Sequence, residues 1–409
     1  MGDDPGFVDG YHLLADSPAK GLGYTYPLEM AVAPREVWVA ASGDDTNAGT
    51  EAAPYRTITK ALSGVNDCLT VHVGAGVYNS EAGEVFPLQL LEAGGVKLVG
   101  EGAAKTVIDA TGASASAMRV VCSSRIAIEG ITIRGAKVSP ATNVQPWQRT
   151  GAAGLDFMAT SVASVKSCVI TNNWIESRPG GGLAVRNTFL TLTDSRIVGN
   201  TSGNATGDRG AGICVAGRPS SLLMDRCELS DNKGGGLYFY SGSDNATVEF
   251  RNSLIVRNCR TNDKITEDGG VMLEGGNSPA GTFIADGCTF FGNRNYSIYK
   301  SGGVATVRNS ILWDGYLGEI YGTVTLDHVC VKGAEADPSL GVISDDPGFK
   351  NASKDDYSLT WASPCRNVGV NSPWMTGAVD FKNEPRIKRS IVDMGCHEYQ
   401  FGGLMLMVR

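Results

Sequence analysis

The chain has 409 residues, a net charge of −8, 53 glycines, only 16 prolines, and ten cysteines without a C-x-x-C pair. An acidic balance argues against a non-specific nucleic-acid surface, the cysteine spacing speaks against a zinc ribbon, and no apolar run approaches the roughly 18 residues of a membrane-spanning helix. Many glycines with few charges suit an all-β chain with many tight turns.

The first residues, MGDDPGF, carry neither the basic nor the apolar stretch of a signal peptide. Residues 1–23 contain the phrase DDPGF…Y…SP, which returns at 345–364, and residues 24–36 (YTYPLEMAVAPRE) read as a linker. Next come VWVAASGDDTNAGTEAAPYRTITKAL (37–62), TVHVGAGVYNSE (70–81), FPLQL (86–90), VKLVGEG (96–102) and TVIDATG (106–112). RTITKAL reads as a short amphipathic helix with Ile58 and Leu62 on one face. It would cap a sheet end that otherwise exposes strand edges. This opening resembles that of bacterial right-handed parallel β-helix proteins of the DUF1565 type, in the pectate-lyase-like superfamily.

From residue 111 a repeat takes over. Ser or Cys, one residue, an apolar residue, two more and Asn recur as CVITNN (168–173), SRIVGN (195–200), CELSDN (227–232), SLIVRN (253–258) and CTFFGN (288–293). The asparagines are 27, 32, 26 and 35 residues apart. A sixth copy, SILWDG (310–315), ends in Gly. Gly followed by alternating apolar residues precedes the copies as GLDF (154–157), GLAV (182–185), GICV (212–215), GLYF (236–239) and GVML (270–273). Period-2 alternation excludes helical repeats, and units of this length with glycine corners predict a parallel β-helix. Asn tolerates left-handed geometry and bonds its copies on the coils above and below. The first position runs Cys168, Ser195, Cys227, Ser253, Cys288, Ser310, Cys330. Cysteines two coils apart would be ~9.6 Å apart, too far for a disulfide. Cys365 and Cys396 share the closing region, and whether they pair stays open.

In the strands after the glycine corners, inward Leu183, Val185, Leu237 and Phe239 leave Asp156, Met158, Ala184, Arg186, Cys214, Ala216, Tyr238, Tyr240, Met272 and Glu274 outward. Asp156 and Glu274 would stand four coils, ~19 Å, apart. That is too far for a glycosidase pair, which needs ~5–9.5 Å. The loops before the corners present Arg149, Arg178, Arg209 and Lys233 on successive coils, then Glu267 and Asp268. Such a column would suit an anionic polymer, with Trp147, Trp174, Tyr238 and Tyr240 stacking on sugar faces and Glu274 nearby. The competing reading is solvated turn charges, with Glu176 and Asp208 satisfying the arginines locally. A lyase step would need a cation at the uronate and a base. Arg178 and Arg209 are the candidate cations; Tyr240, Arg186 or a loop lysine are the candidate bases. Asp208, Glu267 and Asp268 are the candidate ligands of a Ca²⁺ ion. His12, His72, His328 and His397 read as structural.

The closing region contains DDPGF, Tyr357, SPCRNVG (363–369) and VDFKNEPRIKRSIVDMGCHEYQ (379–400). It is similar to the choice-of-anchor Q segment of surface-exported bacterial β-helix proteins, whose frame Asp380, Arg386, Asp393, Gly395 and Glu398 match. The resemblance implies that residues 1–23 are the end of a preceding module in a longer protein.

The expected architecture is all-β. It is a single-stranded right-handed parallel β-helix (solenoid) with a short N-terminal capping helix. It opens over 37–110, coils over 111–333, closes over 334–400 and ends in a tail at 401–409. Two functional readings stay open. One is a secreted or cell-surface protein that binds, and in its wider form cleaves, an acidic polysaccharide as a lyase or glycoside hydrolase. The other is a non-catalytic stalk or adhesin module in a tandem array on the cell surface.

Overall fold

A computed structural model describes residues 35–64, 67–139, 151–176, 179–203, 209–217, 219–240, 246–259, 269–275, 281–388 and 390–399. The chain divides into two compact units, Met1–Arg35 and Glu36–Arg409, and the second is described below. The phrase at 1–23, most of the linker, the tail, and Trp147, Arg149, Arg178, Asp208, Glu267 and Asp268 lie outside the described residues.

Alternating apolar residues fold each repeat into one coil of three short strands, and the coils stack in parallel as a right-handed β-helix. One wall is a nine-stranded sheet of Leu88–Leu91, Met118–Val121, Leu155–Met158, Leu183–Arg186, Ile213–Ala216, Leu237–Tyr240, Val271–Glu274, Tyr296–Lys300 and Gly318–Tyr321. A second wall includes Val162–Lys166, Phe189–Thr193, Ser221–Asp225, Thr247–Arg251 and Thr282–Asp286. A third includes Val169–Thr171, Arg196–Val198, Glu228–Ser230, Leu254–Val256 and Thr289–Phe291. Inward residues stack like with like. Ile170, Ile197, Leu229, Ile255 and Phe290 form one column, and all are fully buried. Each contributes ~1.5–3 kcal/mol of burial.

The wall corners turn at a left-handed residue followed by a buried side chain, most often Asn, Ser, Thr or Cys. The second wall turns at Ser167 (φ 52°), Asp194 (φ 50°), Arg226 (φ 51°) and Asn252 (φ 45°). The third turns at Asn172 (φ 53°), Asp231 (φ 54°) and Arg257 (φ 54°). Non-glycine residues rarely adopt this conformation, and here cross-coil bonds hold it. Arg226 pairs with Asp194 below it, and Arg257 with Asp231. The residue after each third-wall corner is the repeating Asn. The Asn200 side-chain nitrogen donates to Asn232 Oδ1 (3.1 Å) and to the Ile170 carbonyl (2.9 Å), and its backbone N–H donates to the same Asn232 oxygen (3.0 Å). Asn173, Asn232 and Asn258 repeat the pattern toward Asn293. After the second-wall corners the Cys168 N–H donates to Ser195 Oγ (3.0 Å), the Cys227 N–H to Ser253 Oγ (3.1 Å) and the Cys288 N–H to Ser310 Oγ (3.0 Å).

Cys330 is the correction to this column. Ser310 aligns with Val329, and Cys330 aligns with Ile311. The register itself is unbroken, with the left-handed His328 (φ 55°) opposite the left-handed Asn309 (φ 45°), so the ladder position on this coil is Val329 and the cysteine comes one residue later. Cys330 therefore points away from the ladder and packs with Ile311, Leu359, Cys365 and Met394. Among the described residues, which include all ten cysteines, no disulfide forms. Cys365 and Cys396 sit in separate apolar clusters, so they do not bridge.

The helix Ile58–Leu62 buries Ile58, Ala61 and Leu62 at the start of the stack. The Glu84 carboxylate accepts from the Ile58 N–H (2.6 Å) and the Thr59 N–H (2.9 Å), which fixes the first turn. The closing segment lies along the third wall. It covers the outward Leu254, Val256 and Phe291 with Tyr357 and Cys396. Within it Arg386 is fully buried and donates to Glu398 (2.8 Å) and to the Asp393 carbonyl (3.1 Å). The Glu398 N–H donates to Asp380 (2.7 Å). The frame seen in the sequence is thus a buried polar network.

Candidate functional site

The nine-stranded wall carries two clusters of charge on its outer face. Register places Arg119, Asp156, Ala184, Cys214, Tyr238, Met272, Tyr299 and Tyr321 in one outward column. Met158, Arg186, Ala216 and, one coil apart, Tyr240 and Glu274 belong to the next outward column.

Asp156 points outward yet is fully buried, because neighbouring coils close over it. Arg186 Nη2 donates to both of its oxygens (2.8 and 3.0 Å), and the Gly151 N–H donates to one (3.1 Å). Arg119 Nε lies 3.5 Å from the same carboxylate, too long for a good hydrogen bond. Two guanidiniums thus flank one carboxylate. Cys214, next to this group, is buried, and burial pushes its thiol up to about 12. It is no thiolate nucleophile at neutral pH.

The second cluster joins Arg209, Tyr238 and Glu274. Arg209 Nη1 pairs with Glu274 Oε2, the Tyr238 hydroxyl donates to that oxygen (2.7 Å), and the guanidinium lies 5.9 Å over the Tyr238 ring. Burial raises the Tyr238 phenol well above its usual value, and the bond to Glu274 raises it further. Burial opposes the Arg209 cation, but Glu274 outweighs burial and stabilises it. Neither group is fitted to take a proton at neutral pH. Tyr240 stands beside Glu274 and is 42% exposed.

The structure therefore gathers Arg209, Tyr238, Glu274 and Tyr240. Arg186 lies three coils from Glu274, ~14 Å by strand spacing. Trp174 and Lys233 are elsewhere. Trp174 belongs to a short sheet of Lys137–Val138, Trp174–Glu176 and Thr201–Gly203, where Lys137 lies 5.1 Å over its ring. Lys233 bridges to Thr201 on that side and is exposed. The expected cation column does not form between Arg209 and Lys233, since Arg209 turns across the wall to Glu274. Among the described residues no group of three His, Cys, Asp or Glu is placed to hold a metal. Arg119 escaped the sequence reading, and so did the aromatic end of the wall. There Tyr299 and Tyr321 stack at 4.5 Å, with Tyr296 5.6 Å from Tyr321.

A family model described as protein of unknown function (DUF1565) matches residues 41–260, more than half of the chain. The chain belongs to this family. No curated protein sequence matches it. Among solved structures, pectate lyase Pel9A is similar over 90% of this chain and 96% of its own, with 14% identity and a TM-score of 0.56. Pectin methylesterase PemA from Erwinia chrysanthemi matches over 79% of this chain and 98% of its own, with 12% identity and a TM-score of 0.44. A rhamnogalacturonan lyase matches over 87% and 97%, with 12% identity and a TM-score of 0.40. For this DUF1565 member, the likeness to Pel9A is one of fold: a pectate-lyase-like parallel β-helix.

Proposed function

We propose that the outer face of the nine-stranded wall binds an acidic polysaccharide, outside the cell or on its surface. The observation that carries this reading is the Arg119–Asp156–Arg186 group. Two cations share one carboxylate there, on an open wall of a chain whose net charge is −8. A polymer carboxylate would meet Arg119, which is only loosely held, and sugar faces would lie on Tyr238, Tyr240, Tyr299 and Tyr321. The shared fold with a pectate lyase is analogy, and it supports the substrate class only.

Cleavage is the second reading, and Tyr240 favours it as the accessible side chain beside the Arg209–Glu274 pair. Hydrolysis by a carboxylate pair is disfavoured, since Asp156 and Glu274 are four coils apart. A lyase step on Arg209 and Tyr240, with Ca²⁺ at Asp208, Glu267 and Asp268, remains the form such an activity would take. A stalk or adhesin role would use the same wall for binding alone.

The test is a panel of acidic and neutral glycans with calcium, scored for binding, for new reducing ends and for unsaturated uronate absorbance. Arg119→Gln should weaken binding of an acidic polymer by about tenfold, the weight of one charge-assisted contact. Unchanged binding would remove the wall from the argument. Turnover lost in Tyr240→Phe would favour the enzyme; binding with no turnover on any glycan would favour the adhesin.

A further inference from the structure

A second concave place in the molecule lies away from the nine-stranded wall, where the closing segment meets the coils. Between the third-wall corners and the closing segment lies a cavity of about 610 Å³, inside the ~300–1,000 Å³ range of small-molecule sites. Its charged groups differ in how they are held. Arg257 is committed: Asp231 takes two of its nitrogens (3.0 and 2.7 Å), and Asp355 and the Tyr357 hydroxyl take a third. Lys332 is held by Asp314 at 2.7 Å. Arg294 meets no carboxylate among the described residues. Its guanidinium lies 5.5 Å over the ring of Tyr316, and Tyr316 is 73% exposed.

These groups define a ligand by its chemistry. An unneutralised guanidinium in a half-buried setting calls for an anion. The open Tyr316 ring offers a flat apolar face for a sugar's C–H surface. Asp314 and Asp355, carboxylates on the same cavity, accept hydrogen bonds from hydroxyl groups. An uncharged sugar would leave Arg294 without an anion, and a simple anion would leave the open Tyr316 ring uncovered. We propose that this cavity binds one or two sugar units carrying an acid group, with the acid on Arg294 and a ring face on Tyr316. The proposal stands on this geometry and is independent of the reading of the nine-stranded wall.

The experiment is calorimetric titration of the full chain with D-galacturonate, D-glucuronate, D-glucose 6-phosphate and D-glucose. The acidic sugars should bind and glucose should not. Preference for the phosphate over the uronates would support the site with phosphate as its acid group. Arg294→Gln and Tyr316→Ala, both substitutions at solvent-reaching side chains, should each lower affinity by roughly tenfold with an unchanged melting temperature. Arg209→Gln, on the other wall, should leave this binding intact. The proposal is overturned if no acidic sugar binds. It is equally overturned if binding survives both cavity substitutions, or is lost in Arg209→Gln alone. In that last case the ligand belongs to the wall and that reading gains.

Discussion

At the scale of single residues, the two phrases of the repeat are two sides of one corner. A Cβ on Gly182 would stand 2.8 Å from Asn200 Nδ2 and 2.7 Å from the Gly212 carbonyl. Gly154 meets Asn173 at 2.8 Å and Gly212 meets Asn232 at 2.9 Å in the same way. Glycine is needed here for close approach, because the ladder amide fills the space of a side chain. The outer coils show the exchange. Where register puts Ala117 in place of the glycine, the ladder position holds Ala136, and where it puts Ser297 the coil ends in Gly315. Gly182→Ala should therefore cost ~2–3 kcal/mol. Asn200→Gly in the same chain should recover part of it, a coupling of ~1 kcal/mol in a denaturant double-mutant cycle. Strict additivity would show that the two positions do not compete for space. The Gly and Asn phrases were legible because five copies repeat at one offset. Arg119 was not, because its strand follows Ala117 and lacks the glycine that marks the others. Cys330 misled because composition continued the Cys–Ser alternation although, with the register unbroken, Val329 takes the ladder position and the cysteine follows it by one residue.

At the scale of elements, the caps are as specific as the coils. The helix at Ile58–Leu62 was legible from its apolar spacing, but its support by Glu84 was not, since that residue comes 26 positions after Ile58. Burial raises the Glu84 pKa even against three hydrogen bonds from Thr59 and Ile58. Glu84→Ala should strand the buried Ile58 N–H and the half-buried Thr59 N–H and cost ~2 kcal/mol. Amide exchange at Ile58 and Thr59 should rise first; uniform change along the chain would contradict this capping role. In the closing segment His397 is buried against the Phe381 ring at 5.5 Å. Burial, with the nearby Lys382 and Arg386 cations, lowers its pKa from 6.5 to about 3. The folded state keeps His397 neutral where the unfolded chain takes a proton. Its contribution is therefore full above pH 6.5 and declines toward pH 3, by at most ~1.4 kcal/mol per pH unit. Glu398 works oppositely: burial, against Arg386, raises it from 4.5 to about 8, so its contribution fades as the pH rises through that range. Below pH 4.5 the histidine acts without that opposition. Asp356 adds to the acid loss there, held down to about 2 by Ser358 and Lys382 despite burial. His397→Phe should flatten the loss of stability between pH 6.5 and 3 relative to the parent. Parallel pH profiles for the two chains would contradict a neutral buried imidazole.

At the scale of the whole molecule, a stack of coils makes mostly nearest-neighbour contacts, so such a chain frays from its ends. The closing segment changes this at one end. It bonds back to coils well separated in sequence: the Val379 carbonyl accepts from Asn252 (3.1 Å), Ser372 and Trp374 donate to Asp286 (2.8 and 2.9 Å), and the Val370 carbonyl accepts from Asn309 (3.0 Å). Three consecutive second-wall corners are thereby tied to one strap. The sequence carried a sign of it that alternation alone obscured. Earlier third-wall strands alternate, as in Arg196–Val198, while Leu254–Val256 is apolar throughout because its outer side is covered. The strap should make the coils from Asn252 onward unfold as a unit. A chain ending at 333 would lose that unit. In native-state hydrogen exchange, protection over Leu254–Val256 and Thr289–Phe291 should fall to local-opening levels, while Ile126–Glu129 and Val162–Lys166 keep theirs. An even loss from one end of the stack to the other would mean that the coils were already a single cooperative body, and that the strap only shields their outer face.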